Sequence, residues 1–138
     1  MKLGVLVLSV LLFIPGQAAQ DEVKKELAKF QGDWIISSMN GEPVPAEAEA
    51  YLVFKDDKYE QWTGNQVDER GSIKLDIASK PMKIDLMISE GNDAGKTQLG
   101  VYEVSGDTLT VSFALPGETG RPASLNQGAI NAVLKKTR

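Results

Sequence analysis

The sequence predicts an all-β domain: an antiparallel up-and-down barrel of about eight strands with a short N-terminal helix. Three observations carry this expectation. Segments 71–77, 82–88, 109–113 and 130–134 alternate apolar and polar residues, the pattern of a strand with one buried face. Turn residues recur between them at short intervals, as in Asn40-Gly41, Gly64-Asn65 and Ser105-Gly106-Asp107. No helical period appears after Gly32, so the connections read as hairpins, and a meander of eight strands can close on itself and leave no edge. An open sheet or a sandwich is the alternative.

The chain opens with Lys2, an apolar run over residues 3–14, the breakers Pro15-Gly16 and the small pair Ala18-Ala19. That order matches a secretory signal peptide over residues 1–19. The run is short for a membrane-spanning helix, which needs roughly 20 apolar residues. The expectation is one exported β-barrel domain, residues 20–138, periplasmic or secreted, with no stable membrane insertion after cleavage. Within it, Val23, Leu27 and Phe30 recur at spacings of four and three. They predict an amphipathic helix over 21–30, capped by Asp21 and ended by Gly32.

The strands follow in order. Residues 34–39 are mostly apolar and stop at Asn40-Gly41. Pro43 and Pro45 should keep the next stretch out of the sheet. Residues 51–55 and Lys58–Thr63 form a hairpin about Asp56-Asp57. The alternating segments 71–77 and 82–88 flank Lys80-Pro81. A polar turn over 90–95 leads to a strand over 97–104, and Ser105-Gly106-Asp107 to one over 109–113. Residues 115–128 hold two Pro and three Gly and read as a long loop. Ile130, Ala132 and Leu134 belong to the last strand.

Composition removes much of functional space. The chain has no Cys and no His, so it has no disulfide, no Ser-His or Cys-His nucleophile pair and no His- or Cys-ligated zinc. Losing Lys2 with the leader takes the formal charge from −4 to −5. An acidic domain with scattered lysines lacks the clustered basic surface that nucleic acid requires.

The remaining candidate sites each have a plainer explanation. Glu90-Gly91-Asn92-Asp93-Ala94-Gly95-Lys96-Thr97 ends like a P-loop, but its first Gly is out of register and a strand follows where a helix must. Asp56-Asp57 and Asn92-Asp93 offer oxygen ligands without the twelve-residue calcium-loop pattern, and Asp and Asn favour turns for backbone reasons. Asp85 alternates with Ile84 and Leu86, so it should face outward and pair with Lys83 or Arg121. Glu103 shares a face with Leu99 and Val101; if that face is inward, it should pair with Arg121 or a lysine of the last strand. No residue is assigned a catalytic, metal-binding or cofactor role, and no cofactor is expected. Tyr59, Trp62 and Tyr102 are the aromatics most suited to line a pocket, if one exists.

Phe30-Gln31-Gly32-Asp33-Trp34, a helix end followed by Gly-x-Trp, resembles the start of lipocalins and related calycin barrels. The resemblance implies structural roles for Gly32 and Trp34. Trp34 would pack across the barrel base, under a basic residue among Lys135, Lys136 and Arg138. The chain from 27 to 136 also resembles a family of small uncharacterised exported domains known chiefly from planctomycete bacteria. That resemblance runs through Asn40-Gly41-Glu42-Pro43-Val44-Pro45, Lys80-Pro81-Met82-Lys83-Ile84-Asp85-Leu86, Gly95-Lys96-Thr97, residues 100–109 and Arg121-Pro122. It implies a compact β-barrel and assigns no functional residue. Two function classes stay open. One is a non-catalytic protein-interaction or structural domain with an unknown protein partner. The other is lipocalin-like binding of a small apolar ligand inside the barrel. A cavity of several hundred Å³ favours the second; a filled interior excludes it.

Overall fold

The computed structural model describes residues 15–137, with side chains from Ala18 onward. Helix α1 (Pro15–Phe30) precedes strands β1 (Gly32–Met39), β2 (Glu42–Pro43), β3 (Ala50–Lys55), β4 (Lys58–Thr63) and β5 (Gln66–Asp76). Strands β6 (Met82–Glu90), β7 (Thr97–Ser105), β8 (Thr108–Phe113) and β9 (Ile130–Lys136) complete the chain. Each strand from β3 onward pairs antiparallel with the next, and β1 pairs with both β3 and β9. Eight strands thus close into an up-and-down barrel, as the alternation and the short turns predict. The expected signal peptide lies mostly outside the described residues; its last five positions form the first turns of α1. Among the described residues no helix is long and apolar enough to cross a membrane.

Three local expectations are corrected. Pro43 does enter the sheet: β2 pairs with Ser38 and Met39 through a two-residue turn at Asn40 and Gly41, both at positive φ. The pairing is short and lies beyond the stretch of β1 that β3 covers, where a missing N–H costs little. Asp21 sits inside α1 and does not cap it, because Gln17-Ala18-Ala19-Gln20 contains nothing that stops a helix. Strand β5 begins at Gln66, five residues before the apolar alternation becomes visible, because only one of its first five residues is apolar.

Helix α1 lies against one end of the barrel. Val23, Leu27 and Phe30 pack on the core, with Phe30 and Trp34 fully buried. The Phe30 ring meets Phe54 and Tyr102 edge-on, at centroid distances of 5.4 and 5.0 Å, an arrangement the ring quadrupoles favour. The last helical carbonyls lack intrahelical partners, and side chains supply them. Trp34 Nε1 donates to Phe30 O at 2.7 Å, and Gln31 Nε2 donates to Leu27 O at 3.0 Å. Gln31 also bonds both backbone groups of Asp56, which ties the helix end to the β3–β4 turn. Gly32 then turns the chain at φ 116°, a value side chains rarely adopt. Lys136 lies over the Trp34 ring, 5.5 Å from its centroid.

Outside the barrel, residues 114–129 form a strap across β6, β7 and β8. Arg121 donates to Gly100 O at 2.8 Å and forms an ion pair with Asp85 at 2.7 Å. Asp85 therefore faces outward and finds Arg121, as its alternation predicts. The strap buries Val101 and Ser112 on the outer wall. Glu103 shares their face, but that face is the outer one, so Glu103 is exposed and does not engage Arg121.

Candidate functional site: the barrel cavity

Phe30, Trp34, Phe54 and Tyr102 are buried at the end of the barrel near the helix, and a cavity lies in the rest of the interior. Two inward-facing glycines decide where the space lies. A Cβ on Gly71 would stand 2.7 Å from the Tyr59 ring, and one on Gly100 would stand 2.4 Å from the Phe113 ring. Each ring therefore lies over bare backbone and leaves room beyond it. The result is a cavity of about 120 Å³ lined chiefly by Ile36, Leu52, Leu86, Val111, Phe113, Ala132 and Leu134. Met39, 37 % exposed, stands at its rim.

Four polar side chains complete the lining: Tyr59, Gln61, Glu69 and Gln98. Strands β4, β5 and β7 supply them, with Gln61 and Glu69 directly opposite each other across β4 and β5. Tyr59 Oη donates to Glu69 Oε2 at 2.8 Å. Gln98 is buried and spends its amide N–H on Ala114 O at 3.0 Å. Burial raises the pKa of Glu69, and nearby Asp93 pushes it the same way, while the Tyr59 hydrogen bond works against them. Burial also pushes the Tyr59 hydroxyl well above the usual phenol range, reinforced by Glu69, so Tyr59 stays protonated and acts as a donor.

The three aromatics expected at a pocket separate. Tyr59 lines the cavity. Tyr102 is buried beneath the helix, where its hydroxyl donates to Glu26 at 3.1 Å. Trp62 faces outward beside its cross-strand neighbour Tyr51, over an open groove of about 490 Å³ bounded by Asp33, Val53 and Glu60. Glu69 was not expected at any site. The signal was parity: Glu69 precedes Gly71, Ile73 and Leu75 at the same spacing of two and so shares their inward face.

Among the described residues no three acidic groups converge where they could hold a metal. Residues 92–95 form a turn and Thr97 opens a strand, so the Gly-Lys-Thr segment lacks the helix a phosphate loop needs. The chain has no significant match among protein-family models, curated proteins or solved structures. The resemblances drawn from Gly32 and Trp34 and from the longer segments therefore rest on sequence motifs, and the site has to be argued from its own chemistry.

Proposed function

We propose that this domain is a non-catalytic binding protein that holds one small, mainly apolar molecule inside its barrel. One observation carries the reading: a cavity of about 120 Å³ inside the barrel, with mostly apolar walls and four polar side chains from β4, β5 and β7. This is smaller than the roughly 300–1,000 Å³ of pockets for drug-sized ligands. It is close to the scale of an apolar cavity of about 150 Å³ that takes up benzene. The ligand is therefore no larger than a single ring or a short alkyl chain.

A titration of isotope-labelled protein with toluene and 1-butanol, followed by amide shifts, tests this. Saturable shifts should concentrate at Val111, Phe113, Ala132 and Leu134. Ala132→Leu fills the cavity and should abolish them while the spectrum stays folded. If neither compound produces localised shifts, the reading fails. A protein-interaction domain is the second reading, favoured by Tyr51 and Trp62, paired on the outer wall and only half-buried. An unknown protein would then be the partner.

A further inference from the structure

The polar groups of the cavity are not a neutral mixture. Glu69 is acceptor-only when ionised. One of its oxygens takes the Tyr59 hydroxyl, and no other hydrogen bond reaches it among the described residues. Gln98 has committed one amide N–H to Ala114 and keeps its carbonyl oxygen and its second N–H, a neutral pair. The walls between are hydrocarbon. One carboxylate among neutral amides, set in an apolar space, calls for a donor that carries positive charge and an apolar body.

Among the described residues no cation supplies that charge. Arg70, next in sequence, faces the outer wall, where Glu60 and Glu90 hold it at 2.6 and 2.9 Å. Lys96 is held by Asp93 at 3.1 Å. None of the ion pairs among the described residues includes Glu69. Contrast Glu26, the other carboxylate turned to the interior. Both its oxygens are engaged, by Tyr102 and by Lys29 at 2.8 Å. Glu26 is a satisfied structural group; Glu69 is a half-buried carboxylate with no counter-ion among the described residues. Burying a charge without a partner is costly, and an arriving cation would remove that cost.

We infer that the occupant is a small organic monocation, an alkyl- or arylammonium, whose nitrogen meets the Glu69 carboxylate while its apolar body lies among Ile36, Val111 and Phe113. The inference rests on the cavity being a ligand site and narrows the ligand to one chemical class. An anion of the same size meets the Glu69 carboxylate and is repelled. A neutral alcohol can donate one hydrogen bond but brings no charge.

The test compares four isosteric probes by amide-shift titration at neutral pH: n-butylammonium, 1-butanol, n-pentane and butyrate. The added charge attraction should make n-butylammonium bind at least about tenfold more tightly than 1-butanol, a difference of about 1.4 kcal/mol. Butyrate should not bind. In Glu69→Gln the advantage of the ammonium over 1-butanol should disappear, while n-pentane, which makes no polar contact, still binds and shows the cavity intact. Ala132→Leu should block every probe. If 1-butanol and pentane bind as well as the ammonium, or Glu69→Gln leaves the ammonium unaffected, the cation inference is overturned and the binding reading survives. If no probe binds, both fall.

Discussion

At the level of single residues, the pair Tyr59 and Glu69 has a consequence for stability. Glu69 has a higher pKa in the folded protein than in the unfolded chain, chiefly through burial. Below the ordinary carboxylate pKa the group is neutral in both states and adds no cost. As pH rises, the unfolded chain ionises first, so the folded state loses relative stability until the raised pKa is passed, and the loss persists above it. Glu69→Gln removes this titration and still presents a carbonyl to Tyr59. The variant should therefore gain on the wild type between about pH 3.5 and pH 7, the interval that brackets an ordinary carboxylate. Urea melts of both proteins at the two pH values measure it. A gain that is larger at the acid end contradicts the assignment.

Among the elements, the junction between α1 and β1 holds the closed end together. Trp34 fills it with a fully buried indole, caps the helix through Phe30 O, and carries Lys136 over its ring. Trp34→Ala should cost about 3–5 kcal/mol, the usual loss for a large aromatic removed from a core. Chemical denaturation gives the number, and a loss under about 1 kcal/mol, the level of surface substitutions, would sink the claim. The strap over residues 114–129 is a different kind of element. It has no repeating hydrogen bonds of its own and is fixed by a few contacts, Arg121 to Asp85 and Gly100 foremost. Ser112 adds to these, accepting from the Gly128 N–H and donating to Asn131.

For the whole molecule, the signal-peptide pattern of residues 1–19 makes one further claim. Protein recovered from its native host should begin at Ala19, Gln20 or Asp21. Intact-mass spectrometry decides it, and a cytosolic chain that still carries Met1 would count against export. Cleavage there removes only the first turns of α1 and leaves Val23, Glu26, Leu27 and Phe30, which make the contacts with the barrel.

The strand menu and the barrel were legible in the residues because both rest on local rules. Alternation along Met82–Glu90 and Thr108–Phe113 specifies which side chains face the core, and turn residues specify where each strand reverses. The helix face of Val23, Leu27 and Phe30 was legible for the same reason, whereas the place of Trp34 was implied by the resemblance of Gly32-x-Trp34 to calycin barrels. Parity along one strand, however, does not say which face is inside when both faces carry apolar residues. Leu99 and Val101 look like a core face, yet the core took Gln98, Gly100 and Tyr102, because the strap covers the outer wall there. The cavity is also a property of the closed barrel. Its volume depends on two rings lying over Gly71 and Gly100, contacts made between neighbouring strands of the closed wall. Its charge depends on Glu69 facing inward with Gln61 opposite and no cation paired with it among the described residues. The absence of a partner cannot be read from a single strand, since it depends on every side chain that the fold brings near.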